Sequence, residues 1–334
     1  MYSDEELSSA VEAGIMTEAV ATAFREHSAQ NRSLPAVDEE HFRLITGFND
    51  IFVVIACLLL LVSVTWIGSS VHILLGSGLQ AMTAWGLAEF FTRKRRMSLP
   101  SIVLLLAFVG GVFATGVIFL KSAGVGEDLG RGIPSAIAAF SAWLHWQRFK
   151  VPITVAAGTA TLVVGIMLIL FGFVPEVRQW MIPIIFLAGL AVFILAMRWD
   201  SSDTLRQTRR SDVAFWLHLI AAPLIVHPIF SVLNVFDGHM GGWQIIAVTG
   251  LYLALAMISI SIDRRALMVS ALVYVLYAFN TLLEQYGVIS LGFAFTAFII
   301  GSGLLLLSAF WHSCRGVILV YYPSHIREHL PALR

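Results

Sequence analysis

The chain has 334 residues, of which 58% are hydrophobic and 13% are charged, and its mean hydropathy is +0.84. Soluble domains are nearer half apolar and a quarter charged, so this composition excludes an ordinary soluble fold and a disordered chain. Basic and acidic residues both number 21, which leaves no positive excess to neutralise nucleic-acid phosphates. The two cysteines, Cys57 and Cys314, give neither a disulfide framework nor a metal-binding spacing.

Residues 1–45 are polar and acidic, without the basic start and short apolar core of a signal peptide. The sequence from Ser3 to Glu6 has the pattern of a capping box. Apolar residues at helical spacing on both sides of Gly14 predict two short amphipathic helices, the second capped by Thr17. We expect a cytosolic helical segment here, either a solubilising tail or a small hairpin that docks on a protein partner.

Apolar stretches suited to crossing a bilayer fill residues 46–312, since a membrane-spanning helix needs about 20 apolar residues. Glycine, proline and charged residues separate them. The ten predicted spans are residues 50–67, 70–92, 99–120, 133–148, 152–174, 179–198, 212–235, 243–262, 265–284 and 288–312. The sequence therefore predicts an all-α, polytopic transmembrane helix bundle, followed by a cytosolic C-terminal tail at 313–334.

The distribution of basic residues supports this count. With the N-terminus inside, only Lys121, Arg131 and Arg178 of the 21 basic residues fall on the outer side. Cytoplasmic loops carry the excess of Lys and Arg, and a miscounted span would reverse every later loop. We predict ten spans with both termini cytosolic. Two inverted halves of five spans fit this number, although residues 50–174 and 179–312 share no residue-level similarity.

The seventh predicted span is the most polar. Pro223 and Pro228 each remove a backbone hydrogen bond, and the freed carbonyls need protein or water as partners in a membrane. His227 and Asn234 lie on one face of this helix. A kinked helix with a polar face points to a binding site. The alternative is a kinked structural helix whose histidine bonds a neighbouring helix.

Two other spans carry polar stripes in the same half of the bilayer. At about 1.5 Å per residue, His227 and Asn280 both lie about 22 Å from the cytosolic face. We therefore predict one cavity that opens outward and binds a small-molecule or lipid ligand. The predicted substrate-binding residues are His72, Gln80, His227, Asn234, Tyr277, Asn280 and Glu284.

The sequence gives little indication of metal, retinal, nucleotide or haem binding. The H-x-x-E-H sequence from His325 to His329 lacks a third ligand further along the chain, so we predict no metal site. All three lysines sit at span ends, which excludes a retinal Schiff base. No phosphate-binding G-x-x-x-x-G-K-[ST] loop occurs. We predict no catalytic residue and leave the cofactor unassigned, with a haem held between His145 and His218 as an open alternative.

The N-terminal sequence Glu12-Ala13-Gly14-Ile15-Met16-Thr17-Glu18, followed by many spans, resembles uncharacterised bacterial multi-pass inner-membrane proteins grouped as domains of unknown function. This resemblance implies the bacterial inner membrane as the location and supplies no activity. The ten-span plan with both ends inside is also similar to the drug/metabolite transporter superfamily, which implies transport. This chain departs from that superfamily in its additional N-terminal segment.

Three functions compete. The polar stripes favour transport or flipping of a small or amphipathic molecule, with any ion coupling carried by His227 or Glu284. A non-transporting sensor or accessory subunit, signalling through residues 1–45, is the first alternative. A membrane enzyme that acts on lipid or quinone through His218 or His227 is the second, since histidine titrates near neutral pH. The sequence favours a non-enzymatic function.

Overall fold

The computed structural model describes residues 4–32, 48–204, 206, 208–233, 242–285, 292–327 and 330–331. The described residues are largely helical and contain no strand, which confirms the all-α prediction. The helices are α1 (Asp4–Glu12), α2 (Glu18–Arg32), α3 (Phe48–Val71), α4 (Ile73–Ala88), α5 (Ser98–Ser122), α6 (Glu127–Phe149), α7 (Ile153–Phe173), α8 (Met181–Ser201), α9 (Arg209–Val232), α10 (Gly242–Ile262), α11 (Ala266–Gln285), α12 (Gly292–Ala309), α13 (Trp311–Val320) and α14 (Ser324–Arg327). A π-helical turn, Glu89–Lys94, extends α4.

Residues 1–43 form one compact unit and residues 44–334 form another. In the first, α1 and α2 are joined by a turn in which Gly14 has a φ of +68°, a conformation that glycine adopts without steric cost. Thr17 caps α2, since its Oγ1 accepts a hydrogen bond from the amide of Val20 at 3.3 Å. The two predicted helices, their break and the second cap are confirmed, while Ser3 lies outside the described residues.

Six described helices are long and apolar enough to cross a membrane, namely α3, α5, α7, α8 with its preceding turn, α9 and α10. A seventh span results if α12 and α13, which meet at an angle of 71°, count as one broken helix. The ten predicted spans each coincide with one of the helices from α3 to α12. The membrane-spanning character is thus supported, while the count of ten and the cytosolic termini stay predictions.

The second unit is organised around α9. In α9, 56% of the most apolar 18-residue window is buried, compared with 22% or less in α3, α5, α7 and α8. α9 packs against α8, α7 and α11, and the largest core cluster gathers around it. Helices α3 to α7 instead pack mainly against their neighbours in the chain. Helices of the first half therefore pack in the order of the chain, whereas those of the second half pack around one central helix, α9.

Small residues bring several helices into close contact, as is common between membrane helices. A methyl group on Gly165 of α7 would lie 3.0 Å from the backbone nitrogen of Ala136 on α6. A methyl group on Gly189 of α8 would lie 2.8 Å from the carbonyl carbon of Leu224 on α9. The Leu224 carbonyl is the one freed by Pro228, so α8 approaches α9 closely where its backbone hydrogen bonding is interrupted.

Gly189→Ala is expected to lower the free energy of unfolding by about 1–3 kcal/mol, because backbone atoms of α9 must shift to admit the methyl group. Gly110→Ala is the matched control, since a methyl group there meets no atom within 4 Å. The control should be neutral or slightly stabilising because alanine favours helix more than glycine does. Thermal unfolding in detergent measures both variants, and equal melting temperatures would contradict the close α8–α9 contact.

Part of the predicted C-terminal tail, residues 313–334, packs against the bundle, while its cytosolic location stays a prediction. α13 buries Trp311, Arg315 and Leu319 against the bundle, and Leu330 is also buried. Arg315 donates a hydrogen bond to the carbonyl of Pro331. This region is buried because α13 packs against α10, where its apolar side chains join a core cluster.

Candidate functional site

A groove of about 730 Å³ lies between α8, α9 and α10. Its walls are almost entirely apolar and include Phe186 of α8, Ile229 of α9 and Leu251 of α10. Pro228 lines it as well, so the interruption in α9 faces the groove. The hydroxyl-bearing side chain of Ser231 also lines the groove and supplies a polar group. Such a groove suits a ligand with a long apolar part and one small polar part.

A polar trio of Ser231, His227 and Tyr274 extends from this groove to α11. The Tyr274 hydroxyl lies 2.7 Å from His227 Nδ1, and the Ser231 hydroxyl lies 3.4 Å from His227 Nε2. His227 is exposed, while Tyr274 stacks on Phe230 with ring centroids 4.5 Å apart. The imidazole therefore has a fixed partner on one nitrogen and can offer the other, together with Ser231, to a ligand.

The other predicted ligand-binding residues of α9 and α11 either follow Tyr274 on α11 or are not described by the structure. Tyr277 and Asn280 follow Tyr274 on α11 and are partly buried. Asn234 lies outside the described residues, and the side chain of Glu284 is likewise not described. The structure joins α9 and α11 through His227 and Tyr274, while the predicted common cavity stays a prediction.

The two predicted residues of α4 have partners in the first half. Gln80 accepts a hydrogen bond from the Thr65 hydroxyl at 3.1 Å and donates one to the carbonyl of Ala107 at 3.3 Å, which ties α4 to α3 and α5. His72 caps α4, because its Nδ1 accepts from the amide of Leu74 at 3.2 Å. Gln80 lines a second groove of about 540 Å³ formed with α3 and α5. Its hydrogen bonds therefore join helices of the first half, whereas those of His227 join α9 and α11.

A buried ion-pair cluster at the other end of α9 was not anticipated from the sequence. Asp200, at the end of α8, accepts hydrogen bonds from Arg264 Nη2 at 2.8 Å and Nε at 3.2 Å. Arg264 also donates to the hydroxyl and carbonyl of Ser211, each at 3.1 Å. His218 Nε2 lies 3.5 Å from Asp200. All four residues are buried, so the pair joins α8, α9 and the α10–α11 turn in a low-dielectric interior.

Asp263, the residue before Arg264, holds a second set of partners. It accepts hydrogen bonds from Arg206 at 2.9 Å and from the Trp311 indole at 2.7 Å, and Arg315 lies 3.7 Å away. Burial lowers the pKa of Arg206, and the nearby positive charge of Arg264 acts in the same direction. The carboxylates of Asp263 and Asp200 oppose this lowering of the pKa.

The histidines considered for a haem in the sequence, His145 and His218, lie in different surroundings. Within the described ranges, no group of three or more His, Cys, Asp or Glu residues could hold a metal ion. His145 is fully buried beside the rings of Phe108 and Phe149, and its Nδ1 lies 3.4 Å from the Thr154 hydroxyl. His218 instead faces Asp200. The two imidazoles thus have different protein neighbours, and His145 Nε2 and both ring nitrogens of His218 are buried without a hydrogen-bond partner in the described structure.

A comparison with protein families, curated proteins and solved structures finds no match for this chain. The function must therefore be argued from the geometry of the groove, the polar trio and the ion-pair cluster. The resemblances noted in the sequence stay expectations.

Proposed function

We propose that the protein binds a small amphipathic molecule in the groove between α8, α9 and α10 and moves it across, or between the leaflets of, a bacterial inner membrane. The observation that carries this proposal is the contact between an apolar groove and a polar trio at its edge. The apolar part of the ligand would bury against Phe186, Ile229 and Leu251. Its polar part would bind the hydroxyl of Ser231 and Nε2 of His227, which lie 3.4 Å apart.

The position of the prolines supports movement of the bound molecule. Pro223 and Pro228 interrupt the hydrogen bonding of α9 within two turns, and Pro228 lines the groove. Helices bend most easily at such interruptions. A change in the bend of α9 would alter the width of the groove and the position of Ser231 together, which is what release of a ligand requires.

Filling the groove is the direct test. Ala247→Trp places a large side chain in the groove, because Ala247 lines it, whereas Ile246→Trp places the same side chain at a position with 76% exposure on the same helix. Native mass spectrometry after mild-detergent purification measures retained small molecules, and reconstituted vesicles measure their movement. We expect Ala247→Trp to lose at least tenfold of the retained ligand and its transport, while Ile246→Trp retains both.

Equal retention and equal movement in the two tryptophan variants would contradict the proposal. So would wild-type protein that retains no small molecule. Both variants should elute as folded protein at the same volume, which separates loss of ligand from loss of structure.

A second candidate function rests on a different observation. The N-terminal hairpin exposes the apolar side chains of Ile15, Val20 and Phe24, at 78%, 55% and 42%. Exposed apolar side chains on an otherwise polar hairpin favour docking to a protein partner. This observation supports a sensor or accessory role for residues 1–45 as a second candidate function.

A further inference from the structure

A cluster of basic residues lies where α4 and α6 end. The π-helical turn Glu89–Lys94 and the two residues after it supply four consecutive cations, Arg93 to Arg96. Arg148, near the end of α6, binds both oxygens of Glu89, at 2.8 and 3.1 Å. These ion pairs bring the two helix ends together, and Lys150 follows directly on α6.

The charges of this cluster are only partly balanced. Glu89 is shared by Arg148 and Arg93, with Arg93 Nη1 at 3.4 Å. Lys94 and Arg96 are exposed and make no ion pair or hydrogen bond within the described part of the chain. The cluster therefore carries a net positive charge, and two of its cations are available to an anion.

A small pocket lies within this cluster. It has a volume of about 320 Å³ and is lined by Gly86, Glu89, Phe90, Arg93 and Lys94. A methyl group added to Gly86 would meet no atom within 4 Å, so the pocket is open on that side.

An apolar surface leads into the pocket along α4. Met82 is 72% exposed and lies one turn before Gly86, while Phe90 is 43% exposed and lies one turn after it. Apolar side chains thus continue directly into the cations of the turn. This order, with an apolar strip next to a cationic pocket, matches the order of acyl chain and phosphate in a phospholipid.

We propose that this pocket binds the phosphate headgroup of an anionic phospholipid. Lys94, which lines the pocket, and Arg96, two residues further along the chain, are the free cations, and the exposed strip of α4 lies along an acyl chain. Basic residues at a membrane surface attract anionic lipids by about 1 kcal/mol each, which is about fivefold per cation. The proposal is independent of the α8–α10 groove, because it uses the opposite half of the bundle.

The test compares phosphatidylglycerol with phosphatidylcholine in mixed vesicles and in native mass spectrometry of the full chain. Wild-type protein should retain phosphatidylglycerol preferentially. Lys94→Gln with Arg96→Gln should weaken this preference by about 25-fold. The matched control is Arg198→Gln with Arg209→Gln, which removes the same charge at two exposed arginines of α8 and α9 and should keep the preference.

Gly86→Leu fills the pocket without removing a charge and should weaken retention as well. An equal loss in the control pair would overturn the proposal, since it would show attraction to overall charge. Displacement of phosphatidylglycerol by the same concentration of inorganic phosphate would also overturn it, because the site would then be one for soluble anions. A Gly86→Leu variant with unchanged lipid preference would exclude the pocket.

Discussion

Arg264→Met is expected to lower the free energy of unfolding by about 3–5 kcal/mol, because it leaves the fully buried carboxylate of Asp200 without its main partner. Ser211 loses the same partner, which adds to the cost. Thermal unfolding in detergent, followed by the fraction of monodisperse protein, measures the effect.

Two variants make the Arg264 result specific. Arg198→Met removes an exposed arginine two residues before Asp200 and should change stability by less than about 0.5 kcal/mol. The double change Asp200→Leu with Arg264→Met replaces the ion pair by apolar groups and should recover most of the lost stability. An Arg264→Met protein as stable as Arg198→Met would show that the pair contributes nothing to the fold.

His227→Phe and Tyr274→Phe should each reduce retention of the groove ligand about tenfold, the value of one lost hydrogen bond of about 1.4 kcal/mol. The histidine variant removes the proposed polar contact. The tyrosine variant removes the hydroxyl that lies 2.7 Å from His227 Nδ1 and orients the ring. Because both act through the same nitrogen-bearing ring, the double variant should be no worse than His227→Phe alone.

Tyr252→Phe is the control for this cycle. It removes a buried tyrosine hydroxyl from α10 that has no hydrogen-bond partner in the described structure, so ligand retention should stay unchanged. Additive losses in the double variant would mean that Tyr274 contacts the ligand by itself and does not act through His227. Native mass spectrometry under identical detergent conditions provides the measurement.

The helices were predictable because their signals are local. Apolar runs, the break at Gly14 and the cap at Thr17 depend on residues a few positions apart, and the structure confirms them. The prediction that α9 is a special helix also rested on local chemistry, namely two prolines beside a histidine. The sequence also singled out the polar residues of α11, although it did not identify Tyr274 as the partner of His227.

The ion-pair cluster could not be predicted in the same way. In the sequence, Arg206, Arg264 and Arg315 are predicted to lie in cytosolic loops. There they contributed only to the count of basic residues that predicts the orientation of the chain in the membrane. Their burial depends on which helix ends lie next to each other in the fold. The partners are far apart in sequence, since Asp263 bonds Arg206 and Trp311, which lie 57 and 48 positions away. For the same reason the sequence could not identify the helices that hold Gln80 and His227, which bond to different neighbours.

The turn that contains Asp263 also sets an order of events during synthesis. Asp263 and Arg206 have φ values of 56° and 53°, which is strained for non-glycine residues. Their mutual hydrogen bond compensates for part of this strain, but the Trp311 indole that completes the site is made 48 residues later. At about 5–20 residues per second, this corresponds to a delay of about 2–10 s. During that interval Asp263 lacks Trp311 and Arg315, so its set of partners is complete only after the first residues of α13 have been synthesised.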